Sequence, residues 1–393
     1  MPPPVGLLGS QLTTVRFGIL ALVYIQRIRR YEVPVAEVAV SNKLEFTFDE
    51  LMTDDPYDEP LIAGGVRCHG GYLDGTYISP RGAIRRPAIE AWRRQLADHE
   101  HPLVHIPDKY VPPSYPSVEQ AKCLLQAGVV EPVTRSLTII SIVEGFGARI
   151  RDVAVPDLNV EIKEAVDGTA LAHLACGLFE AHARDEAGYR DQGGHKQMWE
   201  AARDIGLDKP TIPNDVLLRM MSGPPRGERK RLYPALSEEM ESLITMMANV
   251  LVIETFAENT FIWAQALLGD PDVSANPELA AHIVGCIARD EVPHIDYLTV
   301  ALSELRSRTL VSSDGSTEIQ GAEVVDAIFR RQLRGMATQR PRDNRERMRN
   351  EIHDAIEDTA QASTIARKFE DQDSGWEFPH KDDEELDVLL KRA

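Results

Sequence analysis

The chain has 393 residues, of which 43% are hydrophobic and 27% charged, the balance of a soluble globular protein with room for one large domain or two. Its net charge of −19 argues against nucleic acid or an anionic membrane surface as partner, because either would repel it. Cys68, Cys123, Cys176 and Cys286 stand far apart with no CxxC pair, which excludes a thiolate zinc site and fits reduced thiols in a cytoplasm.

The first apolar run, Phe17 to Ile25, is shorter than the roughly 20 residues a bilayer span needs. The ten residues that open the chain carry no Lys or Arg, unlike a signal peptide, so a buried or subunit-facing segment is expected and no membrane. Residues 34–48 alternate through Val38, Val40, Leu44, Phe46 and Phe48, with a break at Ser41-Asn42-Lys43, which predicts a β-hairpin. Residues 54–116 are rich in Pro, Gly, Asp and Tyr, with one short helical stretch around Ala88–Leu96. Residues 1–115 are therefore expected to form an irregular wrapping segment.

Helical periodicity then predicts helices over 117–128, Pro132–Arg151, Thr169–Arg190, Ala235–Leu268 and Pro277–Ser307. Gly193-Gly194 and Gly269-Asp270-Pro271 read as stops. Helices that are apolar almost all round belong in a multi-helix core, so 116–310 is expected to be a bundle. Residues 311–393 read as a helical extension to about Phe369, followed by an acidic solvated strip over Glu370–Asp387. The predicted class is all-α, with the small N-terminal hairpin as the only sheet.

The informative feature is an internal echo. Ala183-Arg184-Asp185-Glu186 and Ala288-Arg289-Asp290-Glu291 are the same four residues, followed three positions after each Glu by Tyr189 or His294. A Glu and a His at i and i+3 share one helix face, so Glu291 and His294 can reach one metal ion. Two-metal bundles add a lone Glu from each of two further helices. Glu144 in Ile142-Val143-Glu144-Gly145-Phe146 and Glu254 after Val250-Leu251-Val252-Ile253 fit that role. An ionised carboxylate in such surroundings is costly unless paired or bound to a cation.

Glu254 and Glu291 are nearly equidistant from the Gly269–Ser274 turn, so antiparallel packing levels them; Glu258, one turn on, is the alternative. Glu144 levels with Glu186 only if the segment Asp152–Asp167 climbs alongside the bundle. Otherwise Glu161, Glu164 or Glu180 takes its place.

The pattern Glu144, Glu186-x-x-Tyr189, Glu254, Glu291-x-x-His294 resembles the ferritin-like diiron carboxylate superfamily, which includes the ribonucleotide reductase small subunit, bacterial multicomponent monooxygenases and N-oxygenases. The resemblance implies a ferritin-like four-helix bundle over 116–310 and two metal ions, Fe/Fe first, with Fe/Mn or Mn/Mn as alternatives. It further implies activation of dioxygen to oxidise a small organic substrate, with an electron-donor protein as partner; a homodimer is the default assembly.

Tyr189 departs from the family, which has His there. His182, one turn before Glu186, could supply the missing imidazole, an arrangement similar to that of the arylamine N-oxygenases; His195 is a further candidate. Asp185 and Asp290 resemble aspartates that accept the N–H of a metal-bound histidine and fix its tautomer. Pro293 favours a kink between Glu291 and His294. His99, His101 and His105 also cluster, but Pro102 breaks their spacing and no acid pair completes a site.

No GxxxxGK[ST], GxSxG or helix-opening GxGxxG occurs, so nucleotide and serine-hydrolase chemistry lack support. Two alternatives stay open: manganese-catalase-like peroxide disproportionation, and a non-catalytic scaffold or partner subunit whose metal site has degraded at Tyr189.

Overall fold

The computed structural model describes residues 43–216, 230–373 and 375–376, and in them the chain is mostly helical with a small antiparallel sheet near its start. The hairpin expected over 34–48 falls mostly outside the described residues: 34–42 are not among them, and 43–47 carry no strand. Thr47 and Glu50 instead close a capping box that opens α1, Phe48–Leu51. Leu44 and Phe46 pack on the core, where the Trp92 indole donates to the Leu44 carbonyl at 2.9 Å.

The sheet lies in the stretch read as irregular. Strands β1 (Glu59–Ala63), β2 (Val66–Leu73) and β3 (Thr76–Ile78) pair in that order, antiparallel. Asp74 and Gly75 turn β2 into β3 with φ of 49° and 73°, the two positive values that a tight two-residue hairpin requires. Helix α2 follows over Gly82–Asp98, longer than the expected Ala88–Leu96.

The helical part runs α3 (Val118–Gln126), α4 (Glu131–Gly147), α5 (Leu158–Glu161), α6 (Phe179–Ala187), α7 (His195–Gly206), α8 (Glu238–Leu268), α9 (Pro277–Asp290) and α10 (Val292–Arg306). A two-stranded sheet, β4 (Thr309–Val311) with β5 (Glu318–Gln320), leads to α11 (Gly321–Arg334), α12 (Arg340–Asp354) and α13 (Thr359–Glu370). Helix α7 has no counterpart in the sequence reading, which stopped at Gly193-Gly194. By length and composition α8 could cross a membrane, yet it packs against α9, α10, α11 and α3.

The segment after α4 does climb alongside. Ile162 bridges Leu310, and the Lys163 N–H donates to the Thr309 carbonyl at 2.9 Å, beyond the far end of α10. The chain then returns from Ala170 and Leu171, whose N–H groups donate to Glu304 of α10, each at 3.0 Å. A wide turn at Leu174–Leu178, with Gly177 at φ 127°, feeds α6. The long helix predicted from Thr169 is therefore regular only from Phe179.

Apolar burial divides at the carboxylates. Val133 and Leu137 of α4, Met198 and Trp199 of α7, Phe261 and Leu267 of α8, and Ile283 and Ile287 of α9 belong to one cluster. Leu174 and Phe179 before and in α6, Met247 and Leu251 of α8, and Leu298 and Leu302 of α10 belong to another. Each fully buried side chain of this kind contributes about 1.5–3 kcal/mol over exposure. A folded domain usually has one contiguous core. Here Glu144, Glu186, Glu254 and Glu291 sit along the chain where it passes from one cluster to the other, so a polar seam separates two apolar bodies.

Candidate metal centre

Three helices and one helix junction deliver the carboxylates. Glu144 comes from α4, Glu186 from α6, Glu254 from α8, and Glu291 from the single residue between α9 and α10. The local reason for the break at Glu291 is Pro293, which has no N–H for the Arg289 carbonyl. That carbonyl accepts from the Arg86 guanidinium instead, at 3.3 Å. The helical path continues through Glu291, so Glu291 and His294 share a face: their Oε2 and Nδ1 atoms lie 2.6 Å apart.

The first copy of the echo ends differently. Gly188, at φ 81° and ψ 176°, stops α6 in a conformation open essentially to glycine alone. Residues 189–192 turn back, and Gly194 lies so close to Gly188 that a Cβ there would stand 2.4 Å from the Gly188 nitrogen. Strand β2 secures the loop: the His69 N–H donates to Gly193 O at 3.0 Å and the Gly193 N–H to Arg67 O at 2.8 Å. This returns the chain so that His195, the first residue of α7, lands over Glu186.

Seven side chains form two donor sets. Glu144, Glu186, His195 and Glu291 make one; His182, Glu186, Glu254 and His294 make the other, each with its ligand atoms within 4.8 Å of one another. His195 Nδ1 lies 2.7 Å from Glu291 Oε1, 3.4 Å from Glu186 Oε1 and 3.7 Å from Glu144 Oε2. His182 Nε2 is 3.6 Å from both Glu186 Oε1 and Glu254 Oε1, and His294 Nδ1 is 3.4 Å from Glu186 Oε1. Glu186 Oε1 therefore faces both sets, and Glu291 reaches His195 with one oxygen and His294 with the other. The His182 and His294 rings stack 3.8 Å apart, so both can present nitrogen to the same side. Gly147 makes the room: a Cβ there would stand 2.9 Å from the Glu186 carboxyl carbon.

The outer nitrogens of His294 and His182 are hydrogen-bonded in turn, and that of His195 has a carboxylate beside it but beyond hydrogen-bond reach. His294 Nε2 lies 3.0 Å from Asp185 Oδ2, His182 Nδ1 lies 3.1 Å from the Tyr297 hydroxyl, and His195 Nε2 lies 3.7 Å from Asp290 Oδ2. Asp185 is ion-paired with Arg81 and, at 2.8 Å, with Arg85. Asp290 accepts from the Tyr77 hydroxyl at 2.7 Å and faces His69 Nε2 at 3.2 Å. Fixing the outer nitrogen sets which tautomer points inward.

Electrostatics match a site built for cations. Burial and the neighbouring Glu186 push Glu144 well above the usual carboxylate range, and burial with Glu291 does the same to Glu254. Burial would also raise Glu291, but the His195 and His294 imidazoles outweigh it and hold it well below. Against the same burial, carboxylate neighbours, Glu291 first, raise His195 and His294. Burial and the adjacent His294 depress His182. His182 Nε2, Glu186 Oε1, His195 Nδ1 and Glu291 Oε1 are buried without a hydrogen-bond partner among the described residues. Native proteins rarely leave such atoms unsatisfied. They converge on one region, and four ionised carboxylates would balance the charge of two divalent cations.

The other residues singled out in the sequence lie elsewhere. Tyr189 is 37% exposed with the Arg184 guanidinium 3.7 Å from its ring centroid, outside both donor sets. Glu258 is half-buried and also outside them. Glu161 is the last residue of α5, Glu164 accepts from Thr309, and Glu180 pairs with Arg184 and Arg151. His99 and His101 stack on each other at the surface. Sequence reasoning missed Arg81, Arg85, His69 and Tyr77, which are remote in sequence from the candidate ligands, and also Tyr297 and Gly147, which stand three residues after His294 and Glu144. Comparison with protein-family models, curated proteins and solved structures finds no match to this chain.

Proposed function

We propose that the chain is a two-metal carboxylate oxidoreductase of ferritin-like type that activates dioxygen to oxidise a small organic substrate. The observation that carries this reading is the pair of donor sets that share Glu186, with Glu291 of one set also reaching His294 of the other, and with inward-facing atoms that have no hydrogen-bond partner among the described residues. Glu144 and His195 would hold one ion, His182, Glu254 and His294 the other, and Glu186 and Glu291 both. Oxygen and imidazole donors of this kind suit iron or manganese, and two such ions supply stepwise electron transfer to dioxygen when bound.

The protein's own part is positional. Tyr297, Asp290 and Asp185 orient the imidazoles, and the apolar clusters on either side keep water from the seam. Glu144 and Glu254 are the least buried of the donors, at 9% and 5% exposure against 0–1% for the rest, so a substrate would approach from the α4 and α8 side. A filled set of three imidazoles also favours catalysis over a degraded scaffold, because His182 and His195 make up for Tyr189.

Metal analysis after ferrous loading in the absence of air, followed by exposure to oxygen, tests the reading. About two ions per chain and an absorption change are expected. Glu291→Ala should empty both positions, and His195→Ala should cost mainly one. Stoichiometric loss of neither ion in Glu291→Ala, or no response to oxygen, would sink the assignment.

A further inference from the structure

The sheet packed beside the centre carries two tyrosines that the proposed chemistry leaves unused. In β2 and β3, joined by the Asp74-Gly75 turn, Tyr72 and Tyr77 are directly opposite each other in the register. Opposed residues share a sheet face, and their rings meet edge to face with centroids 5.8 Å apart. Tyr77 is 4% exposed and its hydroxyl is bound to Asp290, 2.7 Å away, with His195 next in line. Tyr72 is half-buried, and its hydroxyl lies 2.7 Å from Nε2 of the exposed His282 on α9, whose ring stacks on the tyrosine at 5.9 Å. Side chains in contact thus run from the surface to a ligand of the centre: His282, Tyr72, Tyr77, Asp290, His195.

We propose that Tyr72 is a redox-active tyrosine that returns one electron to the oxidised centre when no substrate is held, with Tyr77 as the bridge and His282 as the proton acceptor. The inference rests on the two-metal reading above, which supplies the oxidant: the centre after reaction with dioxygen. In the step the Tyr72 phenol loses one electron and its O–H proton. The proton passes to His282 Nε2, the electron passes through the Tyr77 ring and the Asp290–His195 contact to the centre, and the centre is reduced by one electron. A neutral phenoxyl radical stays on Tyr72.

Two further facts suit the pair to this role. Burial pushes the Tyr72 phenol up to about 12, so at neutral pH it stays protonated and must give up a proton on oxidation. Burial and the nearby Arg289 hold His282 below the usual imidazole range, so it is neutral and able to take that proton. Tyr77 keeps its proton on Asp290 throughout and serves as a bridging ring.

The test uses the full-length protein loaded with ferrous iron, without substrate, mixed with oxygenated buffer and freeze-quenched for electron paramagnetic resonance. Optical absorbance follows the metal in the same samples. The expected result is a tyrosyl signal that narrows when the protein carries ring-deuterated tyrosine, is lost in Tyr72→Phe and is delayed in Tyr77→Phe. Tyr115→Phe, remote from the centre, should leave it unchanged. Peptide mass spectrometry after repeated aerobic cycling should find oxygen added at Tyr72 in the parent chain. Both phenylalanine variants preserve the ring, and their metal content is measured alongside. A signal that persists in Tyr72→Phe overturns the assignment. Metal oxidation without any tyrosyl signal overturns the relay and leaves the two-metal reading intact, whereas absence of metal oxidation overturns that reading and removes the relay's oxidant.

Discussion

The two Ala-Arg-Asp-Glu segments are identical in sequence and do half of their work identically. In each, the Glu enters the seam between the two donor sets, and the Asp, fully buried, turns away from it to hold an imidazole. The holding is crosswise: Asp185 of the first segment faces His294, which follows the second, and Asp290 of the second faces His195, which follows the first. The segments part company immediately afterwards. Val292-Pro293 lets the helical path run on, and His294 arrives by spacing alone. Gly188 stops the helix, and His195 arrives only because a glycine loop folds back against β2. The carboxylates are thus placed by helix periodicity and one imidazole by tertiary closure.

The same comparison separates the two aspartates by what neutralises them. Asp185 faces two guanidinium groups, Arg81 at 4% exposure and Arg85 at 0%, and they, against its burial, keep it well below the usual carboxylate range. Asp185→Asn would leave the buried Arg85 without its counter-charge and Arg81 with only the exposed Asp54, so a loss of about 3–5 kcal/mol is expected. Asp290 is held instead by a phenol and imidazoles, groups that tolerate a neutral acceptor. Asp290→Asn should leave stability nearly unchanged and weaken metal binding roughly 10–100-fold, because His195 loses the negative charge beside its outer nitrogen. Denaturant unfolding beside metal titration checks both. Equal destabilisation in the two variants would show that the guanidinium pair does not distinguish the segments.

A third carboxylate ties the two halves together at their far end. Glu304 of α10 accepts the N–H groups of Ala170 and Leu171, where the chain turns back toward the first segment, and its burial raises it from 4.5 to about 7. Between those values the folded protein keeps the proton and the unfolded chain has released it. Stability contributed by this group therefore falls as pH rises from 4.5 to 7, by about 1.4 kcal/mol per unit and about 3 kcal/mol in all, and is level above. Glu304→Gln cannot ionise, and it loses one of two acceptor oxygens, a roughly constant cost of about 1 kcal/mol. Melting curves from pH 5 to 8 should show the variant below the parent at pH 5 and gaining on it steadily to pH 7. A pH-independent offset would rule out titration of Glu304 in this range.

How much of this was legible follows from the range of each interaction. The helices from 117 to 307 show in the sequence because apolar spacing within one helix reports its own burial, and the four Glu residues stand out as charges inside such runs. The climb of 152–167 was a condition stated by geometry, and Ile162 against Leu310 meets it. The sheet over 59–78 lies in a stretch whose Pro, Gly, Asp and Tyr content reads as irregular, although Tyr72-Leu73-Asp74-Gly75-Thr76-Tyr77, an Asp-Gly turn between tyrosines, is a hairpin signal. Arg81 and Arg85 could not be read as partners of Asp185, since about a hundred residues separate them. Two arginines one turn apart that open a helix gave no reason to expect burial. Helix α7 was hidden because Gly193-Gly194 looks like an ending, when its small size serves the return of the chain.

Tyr189 is the sharpest point of divergence between spacing and structure, and it yields the smallest expected effect. Spacing puts it where His294 stands in the second segment. Had α6 run on past Ala187, the phenol would lie on the Glu186 face. The positive φ at Gly188 swings it out instead, to lie under Arg184 with 37% of its surface exposed. Tyr189→Phe keeps the ring and its contact with the guanidinium and removes a hydroxyl that belongs to neither donor set. Stability should change by no more than about 0.5 kcal/mol, and metal content and the absorption change on oxygen should match the parent. Loss of one ion in this variant would mean that Gly188 opens in the loaded protein and lets the phenolate in. The two segments would then be alike in their ligands as well as in their first four residues.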